Sequence, residues 1–371
     1  MPTQTPSINA ARYPALDGVR GLAVLMVLIW HYLPCQVARD AGWWAPYLRR
    51  ILYVTGSGVD LFFALSGFLI VGILLDRKGR PGYFSTFYLR RTCRIFPLYF
   101  LMLGLYVIAG KWSGLSPAPW QWLFGDALPL ASYATFTQNI FMGMKPGFGP
   151  GWQAVTWSLA VEEQFYLVIP LLVLLLDARR LAIVLGSILL VLPLLRMHSP
   201  GFHHYVNLPW RADPLLAGAC VALLVRWGRG VELAWRMKRP ILVAGVVLLA
   251  LVGVMILFPG CLGVFDNTLY AMLYGIVILI ARLEMNPALC HVLRSRTLQW
   301  LGFISFGIYL IHQPVSGLLH GLLKHQPPQI SGMSDALVTL LATAITLILS
   351  CLSYHLLEMP VLRLAHRQTS R

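Results

Sequence analysis

The sequence predicts an all-α polytopic integral membrane protein of about ten transmembrane helices with both termini cytoplasmic, and three observations carry that expectation. Of the 371 residues, 58% are hydrophobic and only 12% charged, with a mean hydropathy of +0.69, where an average soluble protein is about 25% charged. Apolar stretches long enough to cross a hydrocarbon layer of about 30 Å recur along the whole chain. Most of the 29 Lys and Arg fall in alternate connecting segments, the bias expected of cytoplasmic loops.

The first span lies in Leu16 to Ala38. Its last eighteen residues, Gly21 to Ala38, contain no Asp, Glu, Lys or Arg. It begins too late and runs too far for a cleaved signal peptide, so it is expected to remain as a span. Nine further spans follow: Val59 to Leu75, Ile95 to Gly110, Gln153 to Leu176, Leu181 to Leu195, Ala212 to Val225, Ile241 to Phe258, Thr268 to Ala281, Leu298 to Leu319 and Ala336 to Leu357. A cytoplasmic N-terminus places the basic runs Arg77-Lys78, Arg90-Arg91, Arg179-Arg180 and Arg226 to Arg239 inside. The net charge of +15 is then a property of cytoplasmic loops facing the bilayer, and no nucleic-acid partner is implied.

Two connecting segments stand apart. Lys111 to Gly151 is rich in Trp, Pro and Gly, with Trp112, Trp120 and Trp122 inside it and Trp152 just beyond; such residues favour the membrane interface, so the segment is expected to lie along that surface. Asp76 to Arg94 is expected to carry an amphipathic surface helix in its second half. The six cysteines are scattered without a CxxC, so neither a zinc site nor a disulfide framework is indicated. No internal repeat stands out.

Polar groups inside spans need an account, because each is costly there unless it faces a cavity or a partner. His31 lies eleven residues after Arg20, three helical turns plus about 20°, so the two share a face about 16 Å apart along the axis. Asp60 opens the second span. Glu162 and Glu163 fall near the middle of the fourth, pointing about 100° apart. His31 is the obvious partner for one of them: a carboxylate would fix the imidazole tautomer, as a general base requires. The bland alternatives are a helix-packing histidine and a structural polar clamp. His312, near the end of the ninth span, reads as structural, and Glu358 as a partner of an inner arginine.

Six blocks occur in order across the chain: LDGVRGLAVLMVLIWH, GVDLFFALSGFLI, RRTCRIFPLY, WSLAVEEQFYL, LGFISFGIYLIHQPV and LEMPVLR. Together they resemble the acyltransferase-3 family of membrane-embedded bacterial O-acyltransferases. The resemblance implies ten membrane helices in the bacterial cytoplasmic (inner) membrane. It also implies transfer of an acyl group, commonly acetyl from acetyl-CoA, to a hydroxyl of a surface polysaccharide, lipid-linked sugar or glycosylated metabolite. The family's Arg and His separated by ten residues match Arg20 and His31, its RxxR motif matches Arg91 and Arg94, and its Glu-rich block matches Trp157 to Leu167. The ninth-span block departs from the family at Phe306-Gly307. Some relatives add an SGNH domain; residues 1–371 are expected to form a single transmembrane acyltransferase domain without one.

The chemistry agrees with that expectation. Acyl-CoA is a polyanion, and Arg20, Arg91 and Arg94 offer bidentate donors for its phosphates. His31, Glu162, Glu163 and Asp60 are the candidate catalytic residues, with His31 as the base that deprotonates the acceptor hydroxyl. No Walker loop, paired acidic metal site or dinucleotide fingerprint is present, and acyl-CoA enters as a co-substrate. The competing reading is a transporter or flippase of glycolipid or polysaccharide precursors, because membrane His and Glu also serve proton relays.

Overall fold

The computed structural model describes residues 13–112, 118–198, 201–258 and 260–369. Among them the chain is helical, and the one β-type contact is an isolated bridge between Val37 and Ile330. Ten helices are numbered here: α1 (Pro14–Tyr32), α2 (Gly58–Arg77), α3 (Tyr83–Trp112), α4 (Trp157–Leu175), α5 (Ala178–His198), α6 (Asp213–Arg226), α7 (Lys238–Leu257), α8 (Asp266–Leu283), α9 (Ser305–Lys324) and α10 (Met333–Ser353).

Eight spans are long and apolar enough to cross a membrane, and two bent pairs raise the number to ten if each counts as one. The protein is therefore an integral multi-pass membrane protein, as composition predicted. The sixth span coincides with the expected Ala212 to Val225 to within one residue, whereas the ninth, expected to run unbroken from Leu298 to Leu319, is interrupted. The sixth is a 14-residue helix, α6, which at about 1.5 Å per residue covers only some 21 Å before the chain turns by 103° into Gly230–Arg236. The ninth breaks by 72° between Arg296–Phe303 and α9.

Close backbone approach sets the centre of the bundle. A Cβ on Gly67 of α2 would stand 1.9 Å from the Leu215 carbonyl oxygen of α6, and one on Gly218 of α6 would stand 1.9 Å from that of Ala64 on α2. The two helices thus cross at a spot where only glycine fits on either side. Gly18 and Gly21 bring α1 equally close to the backbone at Leu293 and Leu298, and Gly302 meets Asp17 in return. Of the eight unbent spans the one containing α2 is the best buried, at 72%, whereas α7 is 17% buried and turns most of its apolar surface outward.

Two regions differ from expectation. The surface helix expected in the second half of Asp76 to Arg94 is continuous with the third span, making α3 a single 30-residue helix; its Phe87 and Ile95 are buried against the bundle, and Phe84 is exposed. The Trp-rich segment folds inward as well. Trp122 packs against Gly317 of α9 and against Gly151, Trp120 packs against Gly321, and Trp152 is buried. Residues 113–117 of that segment lie outside the described residues.

Candidate active site

Five helices send polar side chains to one end of α1. Arg20 of α1, Ser66 of α2, Arg91 and Arg94 of α3, Glu162 and Tyr166 of α4, and Ser305 of α9 line a chamber of about 110 Å³. The three arginines come from two helices, and each is only half-buried. Glu162 is tied down within this group: the Tyr166 hydroxyl donates to its Oε2 at 3.0 Å. That hydroxyl has a single proton, so Ser66 is the donor in the 2.5 Å contact between Ser66 Oγ and Tyr166. The Arg91 guanidinium lies over the same tyrosine ring, 5.8 Å from its centroid. The chain Ser66–Tyr166–Glu162 holds one carboxylate beside a cluster of positive charge.

A second, larger chamber of about 700 Å³ opens at the other end of α1. Its wall includes His31, Trp30, Trp122, Trp157, Phe148 and Tyr205, with the amides of Gln36, Gln121 and Gln313 and the carboxylate of Asp126. No Lys or Arg contributes to it among the described residues. Val59 and Tyr309 line both chambers, so the two meet inside the bundle.

The sequence-predicted residues divide accordingly. Arg20, Arg91, Arg94 and Glu162 converge as the motifs suggested. Glu163 sits beside Glu162 on α4 but does not line the chamber, and its Oε1 is buried without a hydrogen-bond partner. The expected pairing of His31 with a membrane glutamate is not what the structure holds. His31 Nδ1 lies 2.9 Å from the Val27 carbonyl and 3.2 Å from Nε2 of His312, while Glu162 is engaged by Tyr166 in the other chamber. Periodicity along α4 left open which neighbour the glutamates face.

Asp60 also takes a different place from the catalytic one expected for it. Its carboxylate is 3.0 Å from Arg211, and both are buried. The Arg211 guanidinium in turn lies over the rings of Tyr205 and Trp157, 4.9 and 5.9 Å from their centroids. Asp60 therefore anchors an arginine that backs the aromatic wall, and it lines neither chamber. A second buried pair lies nearby: Arg196 of α5 grips both oxygens of Asp213 on α6, at 2.7 and 2.9 Å. Sequence reading missed it, although opposite charges at the adjoining ends of two successive spans were its visible signal.

His312 was read as structural and peripheral. It is fully buried, and its Nδ1 meets the Ile308 carbonyl at 2.9 Å. Tyr32 of α1 donates to the His312 carbonyl at 2.8 Å and contacts Thr346 of α10 at 3.1 Å, so three helices are locked together beside His31. Tyr309, one turn earlier on α9, is likewise buried; its hydroxyl lies 2.5 Å from Ser158 Oγ.

These features define a class: a multi-pass helical membrane protein whose interior sets a cationic chamber beside a wide one that contains a histidine and, among the described residues, no Lys or Arg. Residues 13–355 match the family model described as an acyltransferase domain, and the chain belongs to the acyltransferase-3 family. It is 28% identical over 372 residues to the peptidoglycan O-acetyltransferase OatA of Listeria monocytogenes, an alignment covering 94% of this chain and 55% of that protein. It is also 28% identical over 389 residues to the putative peptidoglycan O-acetyltransferase YrhL of Bacillus subtilis, covering 96% and 56%. A third relative, the acyltransferase MdmB of Streptomyces mycarofaciens, is 26% identical over 391 residues, covering 97% of this chain and 94% of its own. The chain spans about half the length of the first two relatives. No solved structure matches it.

Proposed function

We propose that the protein is an O-acyltransferase of the bacterial cytoplasmic membrane that moves an acyl group, acetyl first among candidates, from acyl-CoA to a hydroxyl of a carbohydrate-containing acceptor. Residues 1–371 act as one transmembrane catalytic domain with both termini in the cytoplasm, so that the arginine chamber opens inward and the histidine chamber outward. The observation that carries the reading is the meeting of these two chambers at Val59 and Tyr309. One is suited to a polyanion and the other to an uncharged polar ring, and a transferase must bring such a pair together.

In this reading Arg20, Arg91 and Arg94 bind the donor phosphates through charge-assisted hydrogen bonds. The pantetheine arm runs along α1, where about 16 Å separates Arg20 from His31, and brings the thioester carbonyl to the junction. His31 takes the proton of the acceptor hydroxyl as its oxygen attacks that carbonyl. The C–O bond forms, the C–S bond breaks, and the CoA thiolate leaves with the proton returned by His31. The acceptor class is supported by the wall of the outer chamber, where Trp and Tyr faces can cover the apolar faces of a sugar and Gln amides can pair with its hydroxyls. It is supported also by the names of two relatives, which act on peptidoglycan or are so described.

The test is thiol release by the purified protein given acetyl-CoA, with and without a muropeptide or oligosaccharide acceptor. Acceptor-dependent release, rising with pH through one ionisation as the base becomes neutral, is the expected result. Passage of a glycolipid across proteoliposomes with no thiol released would mark a carrier instead.

A further inference from the structure

We propose that His312 is a positioning residue for His31: it accepts a hydrogen bond at Nε2 and thereby holds His31 in the one tautomer whose free nitrogen faces the outer chamber. The inference deepens the proposed transfer reaction and rests on His31 being its base.

Counting protons leads to it. A carbonyl oxygen can only accept, so the 2.9 Å contact between His312 Nδ1 and Ile308 places a proton on Nδ1. A neutral His312 then has a bare lone pair at Nε2. That nitrogen is 3.2 Å from His31 Nδ1, which also faces the Val27 carbonyl at 2.9 Å. His31 Nδ1 therefore meets two acceptors and no donor, and it must carry the proton. The lone pair of His31 is left on Nε2, and His31 lies in the wall of the chamber that would hold the acceptor. The imidazole centroids are 4.9 Å apart with the planes inclined at 53°. When Nε2 takes the hydroxyl proton, the new imidazolium keeps both acceptors on its Nδ1–H, so the same contacts that set the tautomer stabilise the charge. His312 thus does for this histidine what a carboxylate commonly does, without placing a negative charge in the middle of the bundle.

His312 is itself held. Its burial and the Tyr32 bond to its carbonyl leave the α9 backbone fixed at this position. The tautomer of His31 is thereby set by two acceptors, the Val27 carbonyl of α1 and His312 of α9.

Two amide substitutions separate this role from a merely structural one. His312→Gln reaches far enough to place an oxygen acceptor where Nε2 stood. His312→Asn reaches only the Nδ1 position, keeping a donor toward Ile308 and losing the acceptor. Acetyl-CoA affinity of each purified variant, measured by titration calorimetry, reports folding independently of turnover. The expected result is that both bind acetyl-CoA as the parent does and that Gln retains kcat within about tenfold. Asn should lose more, up to the roughly 10²- to 10⁴-fold that removal of a base costs, with KM for acetyl-CoA unchanged in both. Asn as active as Gln, or more active, would overturn the inference, as would a His312→Leu protein with parental kcat. A fully active His31→Ala protein would instead remove the reading on which the inference rests, so the two failures are distinguishable.

Discussion

The two ends of α1 offer the same helix to opposite chemistries. At the Arg20 end a narrow chamber gathers three guanidinium groups around one tethered carboxylate; at the His31 end a chamber some six times larger carries aromatic faces, amides and a single carboxylate. Positive charge is sorted along the axis, with every Arg of the two chambers at one end. Binding and chemistry should therefore separate cleanly by mutation.

The largest effect is expected at the histidine end. His31→Ala should lower acceptor-dependent thiol release by about 10²- to 10⁴-fold while leaving acyl-CoA affinity near parental, as read by calorimetry on the same preparation. Loss of donor affinity in that variant would show that the chambers are not separable. At the arginine end, Arg91→Ala and Arg94→Ala should each weaken acyl-CoA binding by about 1.5 to 3 kcal/mol, the worth of a charge-assisted hydrogen bond, with kcat at saturating donor little changed. Arg91→Lys should recover only part, because the planar fork is gone; alanine variants that bind acyl-CoA as tightly as the parent would leave the arginines as topology signals alone. The smallest change is expected at Glu162→Gln. Removing the carboxylate from the phosphate chamber should lower the donor KM by up to about fivefold, equivalent to about 1 kcal/mol of screened charge interaction, with kcat unaltered. A fall in kcat without a change in KM would return Glu162 to the catalytic role that the sequence suggested for it.

Much of this architecture can be read directly from the chain because lipid is a demanding solvent. Every span must satisfy its own backbone hydrogen bonds, so long apolar helices stand out, and their positions match within a few residues for α2, α4, α7, α8 and α10. The break in the ninth span was not legible, whereas α6 lies within one residue of the span expected at Ala212 to Val225. The arginine cluster was legible because its members lie in ordered motifs on helices that must all end at one side. The partner of His31 was not. Helical periodicity states how deep a side chain lies and on which face, but not which of nine other helices that face meets. Residues 281 positions apart in sequence supplied the answer, and depth alone made a glutamate look just as suitable. Asp60 misled for the same reason: its partner Arg211 lies 151 residues away.

The glycine crossings have a mechanical consequence. Where Gly67 and Gly218 let α2 and α6 touch backbone to backbone, and Gly18, Gly21 and Gly302 do the same beneath α1, neither pair can slide by a helical turn without driving Cβ-bearing residues into the opposing carbonyls. Alternating-access carriers work by rocking one helical bundle against another around a fixed site. Here sliding of α2 past α6, or of α1 past the backbone at Leu293 and Leu298, is blocked at the crossings themselves, which leaves these contacts as pivots.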